Sequence, residues 1–585
     1  MLTTIQTIKH TLTLLTALLL APLVALHAAE NIGLPLADGA IFLDAEHARL
    51  LPHRGNGREV VPRLLPVADG DGFAATQALA PVAPTEGALA WTLEVRTAGR
   101  YWATLEFGHS RTGHKFELQV GHRKLTGEAP NTRGSMALLE LGEIELPAGP
   151  QTVILRNTSA IEKAWMSVGS IYLRPASQLA MTKPQIRAAI ARLKPRALPT
   201  ELLVPAVFSD HMVLQREMPV PVWGRAAPGA NITVRFRGQT KQTKTDADGR
   251  WLVRLDAMEA GGPFEMEISD GKKAVRLVDV LVGEVWFGSG QSNMEVSVKF
   301  LPPHAQPDAP FECDADTKQL LESGVHPHIR LSAVTRDHHK TPAWFALARE
   351  DCLDVPALMT SVAVLLRAKL NVPIGIIVRC ESSTPSGVWL SRDAVEGDPD
   401  IQRQLREYAA NEYPKLVAGY SEKLKAWEAA VAKAQAEGKK SPVKPNAPAL
   451  AGHVVVGNFF SEGRFESYGA NYLTRIAPVI PFAVRGVVWD QGESGTGLAG
   501  ADQSAVMPAL VRSWRAAWSR DELPFIYVDK RIFTPADRDA LAKLPATARA
   551  DYQGLSTINH PPDKAAYARR IVEQMGQLVY RPVQN

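Results

Sequence analysis

The sequence predicts an α/β domain preceded by two β modules. Two observations carry this. After Val280, apolar β-branched runs alternate with helical patterns, as buried parallel strands and their crossovers do. Before it, short alternating segments are punctuated by Gly and Pro, as in β modules. The N-terminal apolar run fits neither pattern. The length of 585 residues allows about four domains at roughly 150 residues each. Apolar residues at 45% and charged residues at 22% exclude a disordered or collagen-like chain. The 43 glycines and 42 prolines point to many turns. A net charge of +4, spread over this length, leaves no electrostatic footprint for nucleic acid. Three cysteines exclude a disulfide-built scaffold.

Lys9 and His10 precede the apolar stretch Thr11 to Leu26, which ends at the small residues Ala28 and Ala29. This pattern reads as a signal peptide over residues 1–29. The run is short for a bilayer span, which needs about 20 residues. The expectation is therefore a periplasmic or secreted protein with no membrane contact after signal removal. Cys313, Cys352 and Cys380 then meet an oxidising compartment. A Cys313–Cys352 disulfide and three buried free thiols both remain open.

Residues 30–176 form the first β module, with expected strands at Trp91–Val95, Tyr101–Phe107, Phe116–Val120, Val153–Leu155 and Ser170–Leu173. It resembles the jelly-roll modules found beside carbohydrate-active enzymes. Exposed aromatics such as Tyr101 or Trp102 would serve glycan binding there, although the alternation favours a core role for them. Residues 177–202 read as a helical linker: Thr182 can cap a helix to Leu193, with Pro184 in its first turn, and Ile186, Ile190 and Leu193 share a face. Pro195 and Pro199 stiffen the chain beyond this helix. Residues 203–280 form the second, smaller β module, with turn signals at Pro228-Gly229 and Asp248-Gly249. Ser209-Asp210-His211 there reads as a turn opening a strand rather than as a polar site.

Residues 281–585 form the α/β domain, with buried strands expected at Val282–Phe287, Gly375–Val378, Val484–Trp489 and Phe525–Val528. A charged insert at 398–449 places Leu424, Trp427 and Val431 on one helical face and reads as a helical hairpin on this domain. Asp337-His338-His339 has metal-ligand residue types without further ligands at useful spacing, so it reads as a loop and no metal is expected.

Three segments carry chemistry. In Gly283-Glu284-Val285-Trp286-Phe287-Gly288-Ser289-Gly290-Gln291-Ser292-Asn293-Met294 a buried strand runs into glycines and a serine. Glycines permit a sharp turn, so Ser292 can project beyond the strand's carboxyl end, where ligands bind in open α/β sheets. The Gly-x-Ser-x-Gly elbow of α/β-hydrolases is absent from this segment. Trp489-Asp490-Gln491-Gly492-Glu493-Ser494 ends another buried strand, and its Gln491 amide can donate to a developing oxyanion. Asn559-His560-Pro561-Pro562-Asp563-Lys564 holds His560 just outside a helical pattern. Alone, each also reads as an ordinary turn or helix start.

In this order the segments resemble the sialate O-acetylesterase-like branch of the SGNH (GDSL-type) hydrolases, from about Val207 to Leu578. Gly290-Gln291-Ser292-Asn293-Met294 followed by Gln491-Gly492-Glu493-Ser494 is the specific pair. Val213-Leu214-Gln215, Val222-Trp223-Gly224, Val372-Pro373-Ile374-Gly375, Ser513-Trp514-Arg515 and His560-Pro561 add to it. The resemblance implies a flavodoxin-like three-layer SGNH hydrolase domain, here preceded by two β-sandwich-type domains. It also implies Ser292 as nucleophile and His560 as base, acting on an O-acetylated glycan with no metal or organic cofactor. Oxyanion donors would be Ser292 N–H, the Gln491 side chain and a loop N–H at Ser382. Two departures stand out. The third oxyanion loop, usually Ser-Trp-Gly-Gly-Thr-Pro in the family, reads Cys380-Glu381-Ser382-Ser383-Thr384-Pro385, and a serine placed where φ is positive costs energy. The aspartate often found three residues before the histidine is replaced by Thr557, and Ile558 stands two before. Glu493 is the first choice for the triad acid, ahead of Asp490, Asp551 or a backbone carbonyl, and a Ser–His dyad is the alternative. A glycan-binding protein with a degenerate hydrolase domain, and a hydrolase of another ester or amide, are the competing functions. The sequence does not set the oligomeric state.

Overall fold

The buried β-branched runs become strands of one twisted sheet, and the polar segments between them become its helices and loops. This is seen in a computed structural model, which describes the chain from residue 32 to 580. Residues 36–38, 45–47, 52–62, 69–73, 83–87, 110–113, 130–136, 159–165, 194–197, 300–311, 336–341, 349–351, 444, 446–447, 450, 453–468, 470, 492–493, 530–532, 557 and 559 lie outside the description, as do both ends. The expected signal peptide and Asp337-His338-His339 therefore fall outside the described residues. The chain divides into two compact units, residues 1–67 with 75–195, and 68–74 with 196–585.

In the first unit, Ala88–Val95 pairs antiparallel with Gly149–Asn157, followed by His114–Val120 and Arg123–Ala129. A second antiparallel set joins Ala137–Leu146, Gly99–His109 and Met166–Pro175. Leu89, Trp91 and Leu93 of the first set share a core with Tyr101, Leu105, Phe107 and Ile171 of the second. Tyr101 is thus a core residue, its hydroxyl donating to Thr97 O at 2.9 Å. Strand alternation turns Trp102 to the opposite face, where it is half-buried. The helix Lys183–Leu193 lays Ile186 and Ile190 against Phe42 and Tyr172. The expected linker is therefore part of the first unit up to Pro195.

The second unit contains both the small β module and the α/β domain. Hairpin strands Asn231–Phe236 and Gln239–Lys244 pair, and Gly261–Ser269 joins the former. Gly261–Ser269 then pairs antiparallel with the first half of β1 (Ala274–Gly290), a 17-residue strand. The boundary expected at 280/281 lies inside this strand, so a single element links the two modules. Nearby, Asp210 accepts from Val278 N at 2.8 Å and His211 pairs with Asp279 at 2.7 Å, which is the expected turn rather than an isolated polar site.

The second half of β1 is the centre of a parallel sheet. With β2 (Ile329–Val334), β3 (Ile374–Cys380), β4 (Gly486–Asp490), β5 (Phe525–Asp529) and β6 (Thr547–Asp551), the spatial order is β2-β3-β1-β4-β5-β6. Successive residues go to opposite faces. Trp286, Ile376, Val488 and Ile526 pack in one core with helices Ala315–Ser323, Ala357–Leu370 and Lys564–Leu578. Val285, Phe287, Ile377, Val487 and Phe525 pack in the other with helices Gln503–Ala517 and Pro535–Ala542 and with the small module. Crossovers serving β2 and β3 thus lie on one face, and those serving β5 and β6 on the other. The switch falls beside β1, at the carboxyl end where such sheets open a ligand crevice.

The insert departs from the expected hairpin. Helix Pro399–Glu407, a π-helical turn at Tyr408–Glu412 and helix Tyr413–Ala436 follow one another as a single arm. The return is irregular chain, held by Trp427 Nε1 donating to Pro442 O at 2.9 Å and Tyr408 OH donating to Ala449 O at 2.9 Å. Cys313, Cys352 and Cys380 are free and buried, which settles the open disulfide alternative against a bond.

Candidate active site

Three strand ends lie side by side. In register, Gly290 of β1 is opposite Cys380 of β3 on one side and Asp490 of β4 on the other. The residues just beyond them, Ser292, Ser382 and Gln491, therefore emerge together at the switch point. Gly290 makes the exit possible. Its φ is +135°, and a Cβ there would stand 2.1 Å from Asp490 O. Gln291 N donates to Asp490 O at 3.1 Å, and the chain then coils into the short turn Ser292–Glu295. Ser292 is 6% exposed and Gln491 fully buried.

His560 lies in the loop between β6 and the helix Lys564–Leu578 and is 6% exposed. Its loop is tied to the serine turn. Lys564 Nζ donates to Asn293 Oδ1 at 2.7 Å, and Asp314 N donates to Pro562 O at 3.1 Å. Lys564 and Asn293 are buried, so this charge-assisted bond is sheltered from water. It brings the residue after Ser292 to the residue four beyond His560.

The loop expected to supply an oxyanion donor is engaged in a way the sequence did not reveal. Ser382 N donates to Glu295 Oε2 at 2.7 Å, and the Ser382 hydroxyl donates to the same carboxylate. The N–H expected to face an oxyanion is thus held by Glu295. Ser383 adopts φ +68°, the left-handed conformation that the family's glycine would take without strain. Gln491 Nε2 donates to Thr384 O at 3.1 Å and more weakly to Gly495 O at 3.5 Å. Its Oε1 is buried with no hydrogen-bond partner among the described residues.

Glu493 lies outside the described residues. Of the other candidate acids, Asp551 is occupied at the end of β6, accepting from Gln553 N at 2.7 Å and pairing with Arg549 at 2.8 Å. Asp490 is 1% exposed beside Gln491. A carboxylate that the sequence did not single out is Asp563. Its Oδ2 accepts from Ser556 N at 3.0 Å, and its Oδ1 is buried without a hydrogen-bond partner among the described residues. Glu295 and Arg475 were also missed. Glu295 could have been found one helical turn after Ser292, whereas nothing in the sequence ties Arg475 to the loop. Among the described residues no group of three His, Cys, Asp or Glu could hold a metal ion.

A serine at the switch point of a parallel sheet, with an amide on the adjacent strand end and a histidine loop tied to the serine turn, characterises this mixed α/β chain. No family model matches the chain. Rat sialate O-acetylesterase is 27% identical over 346 residues, 53% of this chain and 55% of that protein. The human sialate O-acetylesterase is 26% identical over 338 residues, covering 54% and 53%. The chain spans about half the length of the curated relatives it matches. Among solved structures, a carbohydrate acetylesterase from Xanthomonas citri is 26% identical, covers 65% of this chain and 75% of its own, and has a TM-score of 0.45. With the Gly290–Met294 and Gln491–Ser494 motifs, the curated matches support the resemblance to the sialate O-acetylesterase-like branch of the SGNH hydrolases.

Proposed function

We propose that the chain is an exported carbohydrate esterase that removes O-acetyl groups from sialic acid or other glycans through an acetyl-enzyme. The observation that carries this is the convergence of the Ser292, Gln491 and Ser382 strand ends at the switch point, with the His560 loop tied to the serine turn through Lys564 and Asn293. In this reading Ser292 Oγ attacks the acetyl carbonyl while His560 takes its proton. The tetrahedral oxyanion is stabilised by Ser292 N–H, by the Gln491 amide turning from the weak Gly495 contact, and by the loop. Because Glu295 holds Ser382 N–H, the loop donor is Ser383 N–H. His560 then protonates the departing sugar oxygen, and water releases acetate from Ser292. Glu493 orients the histidine. The domain adopts the flavodoxin-like SGNH fold, the two preceding modules are β-sandwich-type, and residues 1–29 direct export. The partner is the O-acetylated glycan substrate, without nucleic acid or, after signal removal, membrane. No helix among the described residues is long and apolar enough to cross a membrane.

The test is acetate release from an acetylated aryl ester and from acetylated glycans. Wild type should turn over and Ser292→Ala should fall to background, with His560→Ala close to it. Equal slow release by wild type and Ser292→Ala overturns the proposal.

A further inference from the structure

The loop that leaves β3 is tied down on both sides of Ser383. Glu381 N donates to Gly290 O at 3.3 Å, and the Glu381 carboxylate accepts from Arg475 Nε at 3.2 Å. Thr384 Oγ1 donates back to Glu381 O at 2.7 Å and accepts from Trp389 Nε1 at 3.0 Å. Gln491 Nε2 donates to Thr384 O at 3.1 Å. Ser382 is held by Glu295, which takes its N–H at 2.7 Å and its hydroxyl on the same Oε2. Between these anchors, Ser383 is half-buried, and its N–H takes part in no hydrogen bond among the described residues.

Ser383 also carries the strain of the loop. Its φ is +68°, a conformation that a residue with a Cβ keeps only where its surroundings enforce it. The Ser383 N–H lies in the peptide plane shared with Ser382, so whatever fixes Ser382 sets the direction of that N–H. Glu295 does the fixing. It is 4% exposed and ends the short turn Ser292–Glu295, so one turn carries both the serine and the anchor of the facing loop. A carboxylate oxygen that accepts an N–H and an O–H makes charge-assisted bonds, stronger than those between neutral groups. The hydroxyl bond exists only because residue 382 is serine.

Resting on the esterase reading, we propose that Glu295 is a positioning residue: by holding Ser382 it keeps Ser383 left-handed and the Ser383 N–H aimed at the oxyanion that forms on Ser292. Glu295 acts through the loop and not on the reacting atoms. Its help is felt when the tetrahedral oxyanion develops, so its loss falls on kcat and spares KM. The help is needed because position 383 carries a Cβ. With glycine there the left-handed backbone costs little, and the loop keeps its shape with less support. Residues 295 and 383 are therefore coupled in their effect on rate.

The experiment measures kcat and KM for acetate release from an acetylated aryl ester, using the full chain, with circular dichroism to check folding. Glu295→Ala should lower kcat by about 10²–10³, the loss of one oxyanion donor, with little change in KM. Measured against Ser383→Gly alone, the same substitution should cost at least roughly tenfold less. Glu295→Gln keeps an oxygen that can accept both Ser382 bonds, so it should lose only about tenfold and show the same dependence on residue 383. It keeps the test decisive if Glu295→Ala does not fold. A folded Glu295→Ala with wild-type kcat, a loss confined to KM, or a loss equal with serine and with glycine at 383 overturns the proposal. Acetate release by wild type no faster than by Ser292→Ala would instead remove the esterase reading on which it rests.

Discussion

At the scale of single residues, the site depends on Gly290 and Gln491. A Cβ at position 290 would meet the Asp490 carbonyl, a backbone atom that cannot swing away. Gly290→Ala should therefore displace Ser292 and abolish acetate release while the folded chain persists, as circular dichroism would show. Gln491→Ala should lower kcat by about 10²–10³ with a smaller change in KM, the usual loss for one oxyanion donor. An unchanged kcat would assign Gln491 to holding the Thr384 and Gly495 carbonyls alone. Ser292, Gln491 and His560 stand out in the sequence because each sits in a short motif with strand or helix context. Glu295 and Arg475 were not, because their partners lie 87 and 94 positions away in sequence. Only the side-by-side register of β1 and β3 brings Glu295 to the oxyanion loop.

Among the elements, β1 bears the most. Its Glu284 is fully buried and receives Arg216 Nε at 2.6 Å, Gln215 Nε2 at 3.3 Å and a close contact from Arg485. Gln215 Oε1 in turn accepts from Val285 N at 2.8 Å. This network ties the small β module to the sheet. Replacing Glu284 by Gln leaves Arg216 and Arg485 with the exposed Glu217 in place of a buried charge partner, and up to about 3–5 kcal/mol of stability should be lost. Denaturant unfolding would measure it. The insert arm is at the other extreme. Its helix Tyr413–Ala436 buries no residue and is held mainly through Trp427. Trp427→Ala should speed amide exchange across 413–436 and leave the global unfolding midpoint nearly unchanged. Element legibility followed burial in the same way. Apolar runs announced β1, β3, β4 and β5. The edge strand β6, Thr-Ala-Arg-Ala-Asp, has no apolar run because an edge is only half covered, and it was not read from the sequence.

For the whole molecule, the buried acids of weak type set the alkaline limit. Burial pushes the Cys313 thiol up to about 11 from an ordinary 9.0, and the Tyr472 and Tyr527 hydroxyls up to about 12 from 10.0. Each of these groups binds its proton more tightly when folded. The stability they contribute is full below the unfolded values and is lost as pH rises through the folded ones. The melting temperature should therefore decline progressively between about pH 9 and 12, and a flat profile there would contradict this balance. Three thiols should titrate in denaturant without reductant, and react far more slowly in the native chain because all three are buried.

By itself the sequence determined which segments would be buried strands, where the glycines turn the chain, and which three motifs could share a reaction. These are local properties: alternation, apolar runs and the φ freedom of glycine act over a few residues. Only the tertiary structure decided what those motifs meet. It placed the strand ends side by side in parallel register, ran one strand through two expected domains, and gave the oxyanion loop to Glu295 and Glu381 to Arg475. Those pairings join residues tens to hundreds of positions apart, and parallel pairing carries no local signal of which strand lies beside which.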